Sequence, residues 1–124
     1  WRANAVATYR HADGGLKGVG YGAAARWQDK VATGYPTTID ENGNQVPILD
    51  RPYFGPAQLS GDLWASYERR LKYFGGVDWK IQLNVRNAFG DRGDIPTITN
   101  PDGKVAVIRI ENPTEWFVTN TFKF

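Results

Sequence analysis

Residues 77–87, VDWKIQLNVRN, alternate without a break. Val77, Trp79, Ile81, Leu83 and Val85 fall on one side, and Asp78, Lys80, Gln82, Asn84 and Arg86 on the other. A period of two is the strand period, so this stretch predicts a strand with one apolar and one polar face. The same period recurs at 58–71, where Leu59, Gly61, Leu63, Ala65 and Tyr67 oppose Ser60, Asp62, Ser66, Glu68 and Arg70, with Trp64 on the polar side. Residues 2–11 set Ala3, Ala5, Ala7 and Tyr9 against Arg2, Asn4, Thr8 and Arg10, although Val6 interrupts the polar face. At the end of the chain, EWFVTNTFKF places Trp116, Val118, Phe122 and Phe124 on a face shared with Asn120.

Residues 16–31 predict another strand, in which Gly18, Gly20 and Gly22 face away from Val19, Tyr21, Ala23, Ala25 and Trp27. A phosphate-cradling loop would need G-x-G-x-x-G between a strand and a helix, so that backbone N–H groups face the phosphate. Glycines at every second position instead mark one face of a strand. They leave room for something to approach the sheet, or they let a tilted strand bend.

Between these segments the chain punctuates itself unevenly. ADGG (12–15) and KYFGG (72–76) are short turns. The connections at 32–57 and 88–112 are long, beyond the roughly 12–15 residues of an ordinary structureless loop, and so are expected to be functional or partly ordered. Within the second, NPDGK (100–104) between TIT and VAVIRI predicts a small hairpin. No segment of useful length has a helical period, and no boundary divides the chain. The expected fold is all-β: an antiparallel meander of about five long strands over 1–124, joined short, long, short, long. That is the plan of an outer-membrane barrel segment, with tight periplasmic turns and long outer loops.

Composition sharpens this reading. The 124 residues include 14 Gly, five Trp, six Tyr and six Phe, but no Cys and no Met. Disulfides and thiolate metal sites are therefore excluded, and a chain not starting with Met is expected to be a processed product or an internal piece. A net charge of +2 gives no support for a nucleic-acid partner. No apolar run approaches the ~18–20 residues of a membrane helix, and no signal-peptide pattern opens the chain. A membrane strand needs only one lipid-facing side, so low mean hydropathy does not exclude it.

With the C-terminus taken as periplasmic, strand directions follow by counting back. Tyr9, Tyr67, Trp79, Phe122 and Phe124 then fall at periplasmic ends, and Trp27 and Trp116 at outer ends, with aliphatic residues between them. Aromatic rings settle at headgroup level, so the seven are expected to be membrane-interface residues.

At this point the chain resembles the C-terminal barrel portion of a TonB-dependent outer-membrane receptor. NVRNAFGD (84–91) is similar to the family's penultimate-strand v-x-N-l-f-d pattern, and EWFVTNTFKF (115–124) ends on Phe as the family does. LKGVGYGAAARWQDK (16–30) and PYFGPAQLSGDLWASYERRL (52–71) also resemble it. Ala88 stands where Leu is usual, and Asn120 is polar at a lipid-side position. The resemblance spans nearly the whole chain, about five of about 22 strands. It implies a bacterial outer-membrane location and active import of a scarce ligand: a siderophore, a vitamin or a glycan. The implied partners are the lipid bilayer, the remainder of the barrel with its plug domain, the TonB system, and barrel-assembly machinery reading Phe124. The plug and the TonB-contacting segment are expected to lie outside this sequence.

The alternative is a soluble β-sandwich carbohydrate-binding module, told apart by whether a second sheet covers the apolar face of 77–87. No enzyme is expected: Asp62, Glu68 and Asp78 read as solvated pore carboxylates, and His11 is the sole histidine. No cofactor or metal site is expected either. DENGN (40–44) opens like a calcium loop, but Gln45 stands at the sixth position and Arg51 at the twelfth. Tyr35, Tyr53 and Phe54 in the first long connection are candidate ligand contacts, with loop packing as the plainer role.

Overall fold

A computed structural model describes residues 1–72, 75–90 and 93–124. The chain is all-β. Its main element is an antiparallel five-stranded sheet built from β1 (Arg2–Arg10), β2 (Val19–Gln28), β7 (Gln58–Leu71), β8 (Val77–Gly90) and β11 (Glu115–Lys123), ordered in space as in sequence. Between β2 and β7 lie four short strands: β3 (Ala32–Gly34), β4 (Thr37–Ile39), β5 (Gln45–Pro47) and β6 (Tyr53–Phe54). Between β8 and β11 lie β9 (Asp94–Thr99) and β10 (Val105–Ile110). The chain divides into two compact units: 3–26, 59–90 and 113–124 form the sheet unit, and 1–2, 27–58 and 91–112 form the other.

The alternation read from the sequence holds in phase across three strands of the sheet. Leu63, Val85 and Trp116 lie in one cross-strand row, Ala65, Leu83 and Val118 in the next, and Tyr67, Ile81 and Asn120 in a third. Side chains directly opposite share a face, so the intervening row Trp64, Asn84 and Phe117 and the row Ser66, Gln82 and Thr119 belong to the other side.

Two strands differ from the pattern in their bounds. The second strand begins at Val19, not 16, because Gly14–Leu16 form a 3₁₀ turn and Gly18 takes φ +91°. Gly18 therefore precedes the strand and closes the turn: its N–H bonds to the His11 carbonyl at 3.2 Å, and its carbonyl accepts from the Glu68 N–H at 2.9 Å. A Cβ there would collide with the Glu68 carbonyl. Of Gly18, Gly20 and Gly22, only the last two lie in the strand. The fourth long strand, expected to end at 87, runs on to Gly90 through a bulge in which Arg86, Asn87 and Ala88 oppose only Asp62. Asn87 takes φ +47° there, a left-handed conformation that Asn tolerates better than most residues. The long connections, expected to be functional or partly ordered, carry short strands. Of the turn expected at 72–76, Tyr73 and Phe74 lie outside the described residues, as does Asp91 at the end of NVRNAFGD.

Only Val77 (4% exposed) and Ile95 (6%) are buried among the described apolar side chains. A soluble domain of this size buries roughly two-thirds of its unfolded surface. Here the large apolar residues are mostly on the outside.

Candidate functional site

The apolar face of the sheet is uncovered. Trp116 is 72% exposed, Phe122 53% and Val118 48%, and Leu63 and Leu83 are exposed as well. Its aromatic residues meet one another. Tyr67 and Trp79 form an edge-to-face pair at 6.4 Å, and Phe122 lies opposite Trp79 on the neighbouring strand. Tyr9 touches both Tyr21 (5.8 Å) and His11 (4.9 Å). Asn120, the polar residue on this face, accepts the Trp79 indole N–H at 3.1 Å. An indole N–H on an apolar surface needs an acceptor, and Asn120 supplies it from the diagonal position. Alternation alone marked Asn120 as an interruption. The signal that finds its role is the Trp one strand over.

On the polar face, charges pair across the glycine strand. Arg10 of β1 reaches Glu68 of β7 at 2.6 Å. Between them lies Gly20, where a Cβ would stand 3.8 Å from the Arg10 Cγ and 3.1 Å from the Ser66 Oγ. Trp64 lies against Gly22, where a Cβ would come within 2.5 Å of the indole Cε2. The glycines thus seat neighbours from both sides. Further along, Arg26 pairs with Asp62, whose other oxygen accepts the Asn87 N–H at 2.9 Å. Gln82 donates to Asn84 at 2.8 Å, and the Arg86 guanidinium sits 5.1 Å from the Phe117 ring centre. The exposed Arg10–Glu68 pair is worth at most about 1 kcal/mol. Its value is in fixing where side chains lie.

The two long connections pack together. β3 pairs with β6 and lies beside β9, and the Thr33 and Thr99 hydroxyls are hydrogen-bonded at 2.8 Å. β9 and β10 form the hairpin expected around 100–104. Of the candidate ligand contacts, Tyr53 is committed to this packing: its hydroxyl donates to the Pro101 carbonyl at 3.1 Å. Phe54 pairs with Ala32 and stays 59% exposed, and Tyr35 is partly exposed. DENGN forms the turn between β4 and β5. The Asp40 carboxylate accepts the Asn42 and Asn44 N–H groups at 2.9 and 2.8 Å. The Asn44 amide holds that carboxyl below its ordinary pKa, against desolvation that raises it, with the Asn44 side chain and the Asn42 amide adding smaller lowering contributions. Among the described residues, no group of three His, Cys, Asp or Glu is placed to hold a metal ion. No described helix is long and apolar enough to cross a membrane, which says nothing of a β-barrel.

The site is thus a two-sided sheet, apolar and aromatic on one surface, charged and hydrogen-bonded on the other. No protein-family model, curated protein or solved structure matches the chain.

Proposed function

We propose that the chain is a wall segment of a transmembrane β-barrel in a bacterial outer membrane, the C-terminal part of a TonB-dependent transporter importing a siderophore, vitamin or glycan. The observation that carries this reading is the uncovered apolar face. Trp116, Val118, Leu83 and Leu63 lie exposed on one side of the sheet, in phase across strands, and ion pairs occupy the other. A bilayer covers such a face, and a lumen accommodates such ion pairs. Lipid offers no hydrogen-bond partners, so the free edges of β1 and β11 are closed in this reading by the remaining strands of the barrel. Transport, the plug and the TonB system come from the resemblance of NVRNAFGD and EWFVTNTFKF.

The test is depth-resolved fluorescence quenching in the intact protein, reconstituted into vesicles with brominated acyl chains. Variants retaining only Trp116 or only Trp64 in this segment are compared. Trp116 on the apolar face is expected to be quenched and Trp64 on the polar face to be spared. Quenching in neither overturns the membrane reading, and equal quenching of the two overturns the assignment of a lipid face and a lumen face.

A further inference from the structure

One polar chain runs across the sheet where the long connections leave and return. Arg26 lies two residues before β2 ends, and Asp62 four residues after β7 begins, so these two flank the first connection. Asn87 lies three residues before β8 ends, and Thr114 immediately before β11 begins, so these flank the second. Arg26 pairs with one oxygen of Asp62, and the other oxygen accepts the Asn87 N–H at 2.9 Å. The Asn87 carbonyl accepts the Thr114 hydroxyl at 2.8 Å. Four roots of two connections are thereby joined through one carboxylate and the backbone of one residue, Asn87.

The Asn87 link has a specific geometry. Asn87 holds φ +47°, and the bulge sets three residues of β8 against Asp62 alone. An extra residue in a ladder leaves backbone groups without their cross-strand partner. Here the Asp62 side chain substitutes for that partner. It is a charge-assisted bond, which is stronger than a neutral one, and Asp62 is only about a quarter exposed.

We propose that Arg26, Asp62, Asn87 and Thr114 form a clasp that couples the local stability of the two long connections, so that loosening the root of one raises local opening in the other. The connections already touch through Thr33 with Thr99 and Tyr53 with Pro101. The clasp constrains their anchor points, so loosening the root of one strains the root of the other. Asp62 is the central positioning residue. The inference does not depend on the membrane reading.

Hydrogen exchange by mass spectrometry on the intact protein tests it. In Asp62→Ala, amides at 31–34, 53–55 and 94–99 are expected to exchange about tenfold faster, the size of effect that loss of a charge-assisted hydrogen bond gives. The turn amides of His11 and Gly18 are expected to be unchanged. Asp62→Asn keeps an acceptor for Asn87 and should fall between the two. Should Asp62→Ala fail to fold, Thr114→Val removes only the last link. It is still expected to speed exchange at 31–34 and 53–55, in the connection it does not belong to. The proposal is overturned if 31–34 and 53–55 are unaffected by either variant, or if the turn amides accelerate equally, which would mean general destabilisation.

Discussion

Trp79 of β8 and Asn120 of β11 share a hydrogen bond on the apolar face of the sheet, where Arg69 lies opposite Trp79 on the other side. The bond joins two residues that alternation would place two register steps apart in chemistry. It also explains how an amide is accommodated among Trp, Ile, Phe and Val.

Removing one partner should therefore cost more than removing both. Trp79→Phe leaves the amide without its donor and is expected to lower stability by about 1–2 kcal/mol. The pair Trp79→Phe with Asn120→Val should recover most of that loss. A double-mutant cycle by denaturant titration of the intact protein measures the coupling. Additive losses would mean the bond contributes nothing.

Leu83 and Gln82 are adjacent and face opposite ways. Leu83→Arg should destabilise by roughly 2–4 kcal/mol if the residue lies near the middle of a bilayer, and Gln82→Arg by much less. Equal losses would contradict the proposed lipid and lumen faces. The comparison needs only two variants and one unfolding assay.

A methyl group at Gly22 has nowhere to go while Trp64 keeps its place. Gly22→Ala is expected to cost about 1–3 kcal/mol, as overpacking does. Combining it with Trp64→Ala should relieve the clash with the indole, though neither the close approach to the Ala7 carbonyl, 2.7 Å from such a Cβ, nor the loss of the indole contact. A milder effect in the double variant than in Gly22→Ala alone, read by thermal unfolding, would establish the seat.

Asp40 links the hairpin of β4 and β5 to pH. Its carboxyl lies below the ordinary value of 3.8 because the Asn44 amide favours the ionised form. A depressed acid stabilises the folded turn above the unfolded value and loses that contribution as pH falls through the lower folded value. The Asn42 and Asn44 amide resonances should hence shift together on acidification below about 3.8. Asp40→Asn should abolish the shift, and its persistence would assign the titration elsewhere.

Phe124 ends an apolar face made by Trp116, Val118 and Phe122. A strand offered by its edge is held better when one face is regular. Deleting Phe124 is expected to reduce the membrane-inserted fraction far more than Phe117→Ala on the opposite face does. Heat-modifiable gel mobility measures insertion. Near-equal insertion of Phe124→Tyr and Phe124→Ala would leave Phe124 as an interface ring without an assembly role.

The long strands were legible because each carries a largely apolar face, interrupted in β11 by Asn120. Residues 58–71 appear in the structure with the bounds their alternation suggests. The hairpin of β9 and β10 was legible through local turn chemistry at Asn100, Pro101, Asp102 and Gly103, which needs no distant partner. What escaped the pattern depends on distant residues. Two or three residues such as Tyr53–Phe54 become a strand only because Ala32–Gly34 lies beside them. Asn87 was visible as a motif residue, but the bulge requires Asp62, 25 positions away. Gly18 looked like a third member of a strand stripe. Its backbone conformation is set by the turn and by Glu68, neither of which period-two counting detects.

The order of strands in space, identical to their order in the chain, also bears on how the sheet is assembled. β1 meets β2 after a short connection and β7 meets β8 after a shorter one, whereas β2 meets β7 only across 29–57. Closing a loop costs roughly 0.6 kcal/mol more for each doubling of its length. The two tight hairpins therefore close first, and the search for the β2–β7 pairing follows, with contacts inside the long connection shortening the effective gap. A defect in the pairing of β3 with β6 would then show up as slower joining of two preformed hairpins, while the rate at which each hairpin forms stays the same.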